Sequence, residues 1–190
     1  MLSVFNNEHW IFNRYCVKKV KSGSNLVSIG ARSILIDAHV HLSDALLRNR
    51  AEQISLFLKA SRTKVCSVST DIASSKTVLE QVETFGASSY NFIGIHPSEC
   101  SKENIQDFLK LFGDNIAKVD GVGEIGLDGS YSNDVKFLKT QEVVFGEMLG
   151  LAEKHSLPVS VHSRSASLKT IEFLSKYKLK GVLLHWFAGT

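Results

Sequence analysis

After residue 33 the chain settles into a regular alternation. Short apolar, β-branched runs are each followed by longer stretches whose apolar positions recur at helical spacing. The runs at 33–37, 64–68, 90–95, 119–125, 158–161 and 181–185 read as strands. Between them, 51–60, 75–85, 103–112, 135–155 and 168–177 read as helices, the fourth carrying Leu138, Val143, Val144, Met148, Leu149 and Leu151. Strands alternating with helices spell βαβ units and hence a parallel sheet. Six such units, with no linker, composition break or internal repeat, fit two α/β architectures. One is a doubly wound sheet, complete as it stands; the other is a (β/α) TIM-type barrel with about six of its eight strands present in this chain.

The polar residues separate the two. Asp37, His39 and His41 lie at the end of the first strand, and His96 follows the third. Glu124 closes the fourth, His162 the fifth and His185 the sixth. Strands of an open sheet are spaced about 4.8 Å apart, so these groups would be scattered over tens of ångströms. In a barrel the carboxyl ends of the strands converge on one mouth. So many metal-ligand side chains at strand ends favour the barrel.

Composition narrows the setting. At 44% hydrophobic and 22% charged, the chain is ordinary for one globular domain. The net charge of +3 is concentrated in residues 1–33, where Arg14, Lys18, Lys19, Lys21 and Arg32 face Glu8 alone. The remainder is close to neutral and is no broad basic platform for nucleic acid. Residues 1–33 form a basic extension, and 34–190 the barrel region. Cys16, Cys66 and Cys100 are odd in number, widely spaced and without a CxxC pair, which argues against a disulfide framework and for a reducing, cytoplasmic setting. No apolar run reaches the roughly 20 residues of a membrane span.

His39-Val-His41 places two imidazoles at i and i+2, on one side of an extended backbone, where both can grip one cation. A pair of surface histidines is the plain alternative. Asp37 points the same way, either to orient a ligand or to make a contact inside the barrel. Glu124, inside the Gly-flanked Gly121-Val-Gly-Glu-Ile-Gly-Leu-Asp128, is costly to bury unless paired or metal-bound. A carboxylate bridges two cations as imidazole does not, so Glu124 is the natural bridging and catalytic group; a salt-bridged acid is the alternative. Asp128 either caps the next turn or orients a ligand. His162 and His185 stand at equivalent ends of successive strands, which favours ligation over a structural role. His96 and Arg164, near the same mouth, suit a nonbridging phosphate oxygen, against readings as a turn histidine and an exposed arginine.

In series, Ile36-Asp-Ala-His-Val-His-Leu42, Gly94-Ile-His-Pro97, Val122-Gly-Glu-Ile-Gly-Leu-Asp128, Leu157-Pro-Val-Ser-Val-His-Ser-Arg-Ser-Ala166 and His185-Trp-Phe-Ala-Gly189 resemble the TatD family of metal-dependent deoxyribonucleases. The helical Gln141…Val144-Phe145 adds to the likeness, which runs from about Ile34 to Thr190. The resemblance implies an amidohydrolase-like TIM barrel holding two divalent metal ions, Mg²⁺ or Mn²⁺ with Zn²⁺ acceptable. It implies that His39 and His41 hold one ion, Glu124 bridges, and His162 and His185 hold the second. The implied activity is hydrolysis of phosphodiester bonds in a DNA substrate, by a monomer without a membrane partner. Two departures stand out. An aromatic residue is usual after Asp128, where this chain has Gly129-Ser130. The family's aspartate after a seventh strand lies beyond Thr190, so the chain is expected to be either a fragment of a longer gene product or a C-terminally truncated form with impaired metal binding and little activity. Two rival functions remain: a small-molecule amidohydrolase-like metal hydrolase, and a truncated nucleic-acid-binding protein without turnover.

Overall fold

A computed structural model describes residues 34–101, 103–132 and 134–187; the expectations for residues 1–33 lie outside these. Six strands, β1 (Leu35–Val40), β2 (Thr63–Val68), β3 (Ser89–Ile93), β4 (Gly121–Gly126), β5 (Val159–His162) and β6 (Val182–Leu184), pair in chain order, every pair parallel. The connections carry α1 (Ala45–Arg48), α2 (Ala51–Ser61), α3 (Ile72–Glu80), α4 (Val82–Phe85), α5 (Ile105–Asp114), α6 (Val135–Lys154) and α7 (Ser167–Leu174). This is the βαβ alternation expected. Among the described residues no helix is long and apolar enough to cross a membrane, and Cys66 and Cys100 form no disulfide.

Local chemistry sets the boundaries. Asp71 caps α3 by accepting from the Ser74 amide at 2.6 Å, with Ser74 reaching back in a capping box. Asn104 caps α5 by accepting from the Gln106 and Asp107 amides, and Asp134 caps α6 by accepting from the Lys136 amide. The stretch expected as one helix over 75–85 breaks at Gln81. That side chain is buried and donates to the Leu42 carbonyl at 3.2 Å, tying the break to the loop after β1. The first strand runs further than its apolar residues suggest. After a register shift between Asp37 and Val40 it continues to pair with β2, so His39 lies within the strand rather than after it.

The two faces of the sheet differ. On β5, Val159 and Val161 join the core beneath the helices, against Phe112 of α5 and Phe145 and Met148 of α6, all fully buried. Each such side chain stabilises the fold by about 1.5–3 kcal/mol through burial. Ser160, between the two valines, turns the other way and meets His39 of β1, its Oγ 3.0 Å from Nδ1. A flat sheet would separate β1 from β6 by five spacings, roughly 24 Å. Instead the His39 and His185 rings stack 3.9 Å apart at 8°. The sheet therefore curls so that its first and last strands face one another, as a barrel requires. Close approach of backbones makes the curl possible: a Cβ on Gly123 would stand 2.7 Å from the Ser160 Cβ.

Gly126 is the most sensitive point. Its φ is +141°, and an added Cβ would lie 2.0 Å from the His162 carbonyl oxygen. Gly126→Ala is expected to lower unfolding stability by on the order of 1–3 kcal/mol from backbone strain alone, with further loss from the collision. Urea denaturation followed by circular dichroism measures it; an unchanged midpoint would show that the strand ends are not packed this closely.

Candidate metal centre

Glu124 sits at the centre of the curled sheet, 3% exposed. Burying a carboxylate is unfavourable unless its charge is met, and five imidazoles meet it from four other strands or the loops that follow them. Oε2 lies 3.3 Å from Nε2 of His39 and 3.3 Å from Nε2 of His41. Oε1 lies 2.5 Å from Nε2 of His185, 3.1 Å from Nδ1 of His162 and 3.6 Å from Nε2 of His96. Each carboxylate oxygen thus has its own set of imidazoles. Ligand atoms of His39, His41 and Glu124 lie within 4.8 Å of one another, and so do those of His96, Glu124 and His162.

The far side of each ring fixes its orientation. His41 Nδ1 is 3.1 Å from the Val68 carbonyl oxygen, an arrangement in which the ring donates there and turns Nε2 toward Glu124, free to ligate once its proton is shed. His39 Nε2 is buried beside the carboxylate yet outside hydrogen-bond geometry, a nitrogen aimed into the site with no donor or acceptor to satisfy it. His162 Nε2 is 2.6 Å from Asp128 Oδ2. Asp128 also accepts from the Ser130 amide at 2.7 Å through Oδ1, so it both caps the turn and orients an imidazole. His96 is different: its Nδ1 accepts from the Ser98 amide at 3.1 Å. A neutral His96 therefore carries its proton on Nε2 and presents a donor, not a lone pair, to the site.

The charges follow from these contacts. Burial alone would raise the Glu124 pKa, but the surrounding imidazoles of His162, His185, His39 and His41 overcome it and hold the carboxylate well below its usual range. Burial pushes His96 down to about 4 and lowers His39, so both rings are neutral near pH 7. His41 is raised, chiefly by its hydrogen bond to Glu124. Burial pulls His162 down, yet its bonds to Glu124 and Asp128 outweigh that and leave it raised. Neutral imidazoles around one ionised carboxylate are the donor set that a divalent cation takes. The unsatisfied His39 nitrogen shows that protons alone do not complete the cluster, and the residues present fit a metal.

The structure gathers His39, His41, Glu124, His162 and His185 as a group and brings His96 up to the same carboxylate. Arg164 is exposed on the wall of the cleft of about 1150 Å³ above them, apart from the contacts to Glu124. Asp37 turns back locally, accepting from the His39 amide at 3.2 Å, which supports the chain bend rather than an imidazole ring. His9 lies outside the described residues; His155 follows α6 with its ring 5.4 Å from Phe112. Sequence reasoning passed over Ser98 and Ser160. Ser98, two residues after His96, was within reach of the Asx- and Ser-turn rules, whereas Ser160 is recognisable only once β1 and β5 face each other.

The chain belongs to the TatD related DNase family, whose sequence profile matches residues 36–190. It is 34% identical over 169 residues to the metal-dependent hydrolase BU355 of Buchnera aphidicola, the match covering 82% of this chain and 62% of that one. It is 27% identical over 167 residues to human deoxyribonuclease TATDN3, covering 82% of this chain and 61% of the human one. The crystal structure of YJJV, a TatD homolog from Escherichia coli, superposes with a TM-score of 0.70 at 28% identity, over 82% of this chain and 61% of that chain. The chain therefore spans about three fifths of the length of the relatives it matches.

Because ligating rings must shed their protons, metal uptake at pH 6 should release protons from His41 and His162, whose pKa values are raised, and affinity should climb as pH rises through that range. Asp128→Asn should weaken divalent-metal affinity about 10–100-fold by disorienting His162. Calorimetric titration in buffers of different ionisation enthalpy reads both. PH-independent affinity, or an Asp128→Asn variant that binds as tightly as the parent, would contradict the arrangement.

Proposed function

We propose that this chain carries the two-cation centre of a deoxyribonuclease and hydrolyses phosphodiester bonds of DNA. One observation carries the reading: Oε1 and Oε2 of Glu124 face different imidazole sets, which is how a carboxylate bridging two cations is surrounded. His39 and His41 with Oε2 would hold one cation, and His162 and His185 with Oε1 the other. The mixed oxygen and imidazole set suits Mg²⁺ or Mn²⁺ and accepts Zn²⁺. When bound, such a pair supplies a water of lowered pKa and neutralises charge on the phosphoryl oxygens.

The chain's own groups supply the rest. His96, neutral and with its proton on Nε2, donates to a nonbridging phosphate oxygen rather than joining the ligands. Val68 and Asp128 keep His41 and His162 in the ligating orientation. Arg164 on the cleft wall attracts the neighbouring phosphate of the strand. Water adds to phosphorus and gives up a proton, the bond to the departing sugar oxygen breaks, and that oxygen takes up a proton in its place. Contact through metal and phosphate makes cleavage little dependent on base sequence. A monomer in a reducing, cytoplasmic location is the setting this reading assumes.

Labelled DNA incubated with Mg²⁺ or Mn²⁺ should be cleaved, with activity abolished by chelation. Glu124→Gln should lower the rate by at least about a hundredfold, since the charge bridging the two cations is lost. Turnover of a lactone or amide in place of DNA would transfer the site to small-molecule hydrolysis. DNA binding without metal-dependent cleavage would make this a binding protein.

A further inference from the structure

Helix α6 turns one face to the core, and one polar side chain stands on it. Its buried residues are Gln141, Val144, Phe145, Met148, Leu149 and Ala152, the spacing of a single helical stripe. Gln141 is 1% exposed and is the one polar member among them. Burying an amide is unfavourable unless its donor and acceptor are both used. An apolar side chain of the same length would fill that space without the cost, so the amide needs a reason outside the packing of the helix.

The reason is Asp128. Its amide donates to Gln141 Oε1 at 2.8 Å, and its carbonyl oxygen accepts from Gln141 Nε2 at 3.1 Å. Asp128 lies two residues past the end of β4. Its neighbours still pair with the exit of β5: the Leu127 amide donates to the His162 carbonyl oxygen at 3.1 Å, and the Gly129 amide to that of Arg164 at 3.0 Å. Backbone groups of successive residues in such a segment point to opposite sides, so those of Asp128 face away from β5 and need partners there. A side-chain amide carries the same donor and acceptor as a peptide group, and Gln141 stands in for the absent neighbouring strand. The Asp128 carboxylate is then left free to turn into the cluster, with Oδ2 2.6 Å from His162 Nε2.

We infer that Gln141 is a positioning residue of the metal centre: it fixes the backbone of Asp128 against α6, and through Asp128 the ring of His162 beside Glu124. The inference rests on the reading of this cluster as a cation site. Phe145, Met148 and Leu149 lock the rotation and height of α6 in a close-packed core. The stripe that packs the helix therefore also sets the place of one imidazole in the cluster, and a single amide joins the two. With an apolar side chain at 141, two buried backbone groups of Asp128 lose their partners, and they regain others only if the loop moves. With a carboxylate there, the Asp128 amide keeps its acceptor, but its carbonyl oxygen loses its donor and meets a negative charge instead. Either change disturbs the support of His162 without touching a ligand.

Gln141→Met keeps the length and loses both bonds, while Gln141→Glu is nearly isosteric and loses one. Met148→Val, two turns along the same stripe, controls for lost packing. In the full chain freed of metal, the His162 Nε2–H that donates to Asp128 should give a downfield proton resonance protected from exchange, assigned by ¹⁵N labelling of histidine. It should vanish or move upfield in both Gln141 variants and persist in Met148→Val. Mn²⁺ alone, titrated in a calorimeter, should bind roughly tenfold more weakly to Gln141→Met and at parental strength to Met148→Val. Added to Asp128→Asn, Gln141→Met should weaken binding no further, because both act through one carboxylate. Parental Mn²⁺ affinity or an unmoved His162 resonance in both Gln141 variants overturns the positioning role, as does a double variant whose losses multiply. A resonance that follows Gln141 in a chain whose parent takes up no Mn²⁺ leaves that role standing and removes only the cation reading.

Discussion

The carboxylate of Glu124 is almost wholly removed from water, and the arrangement of the rest follows from meeting that one charge. An isolated ionised acid in such a place is among the most costly things a fold can bury. Here it is met from β1, from β5, and from the loops after β3 and β6 at once. The same contacts draw the ends of these strands to a common point, so charge compensation and sheet closure are one constraint seen from two sides. Five imidazoles in contact with one another repel if they are all protonated. The pattern of lowered His96 and His39 against raised His41 and His162 shows how the cluster limits that repulsion. Cations do the same work better, which is why a site with one carboxylate and many imidazoles is the natural habitat of a metal.

Closure in turn depends on what the strands do not carry. Near Glu124 the inward face carries small residues, Ser160 of β5 and Gly123 of β4, while Phe112, Phe145 and Met148 pack on the helix-facing side. Larger inward side chains would prop the sheet open and part β1 from β5. Ser160 puts its hydroxyl within reach of His39, whereas Ser69, turned toward α3, meets the Ser75 hydroxyl and accepts from the Gly94 amide at 3.0 Å. The apolar outer layer provides the stability, and the polar inner layer the function.

Much of this was legible in the residues themselves. The alternation of apolar runs and helical stretches yields all six strands in order, because parallel strands covered by helices have to be continuously apolar. Histidines at successive strand ends point to a shared mouth because only curling makes them neighbours. What escaped has physical reasons too. The extent of β1 was hidden because the polar His39 interrupts the apolar run, yet the strand continues to Val40, which pairs with Ser67 of β2. The break at Gln81 depends on a carbonyl 39 positions away. The double duty of Asp128 needs the position of His162, and the donor character of His96 needs the Ser98 amide. Local pattern reveals which groups are present, whereas proton positions belong to tertiary contacts.

The central claim is that Glu124 lies between two cations, each held on its far side by a different set of histidines. Anomalous diffraction from a crystal soaked in Mn²⁺ tests it directly. Two peaks about 3.5–4 Å apart are expected, one beside His39 and His41 and the other beside His162 and His185, with Glu124 between them. No peak at Glu124, or a single one bound by rings from only one side, would contradict the bridging role from which the chemistry follows.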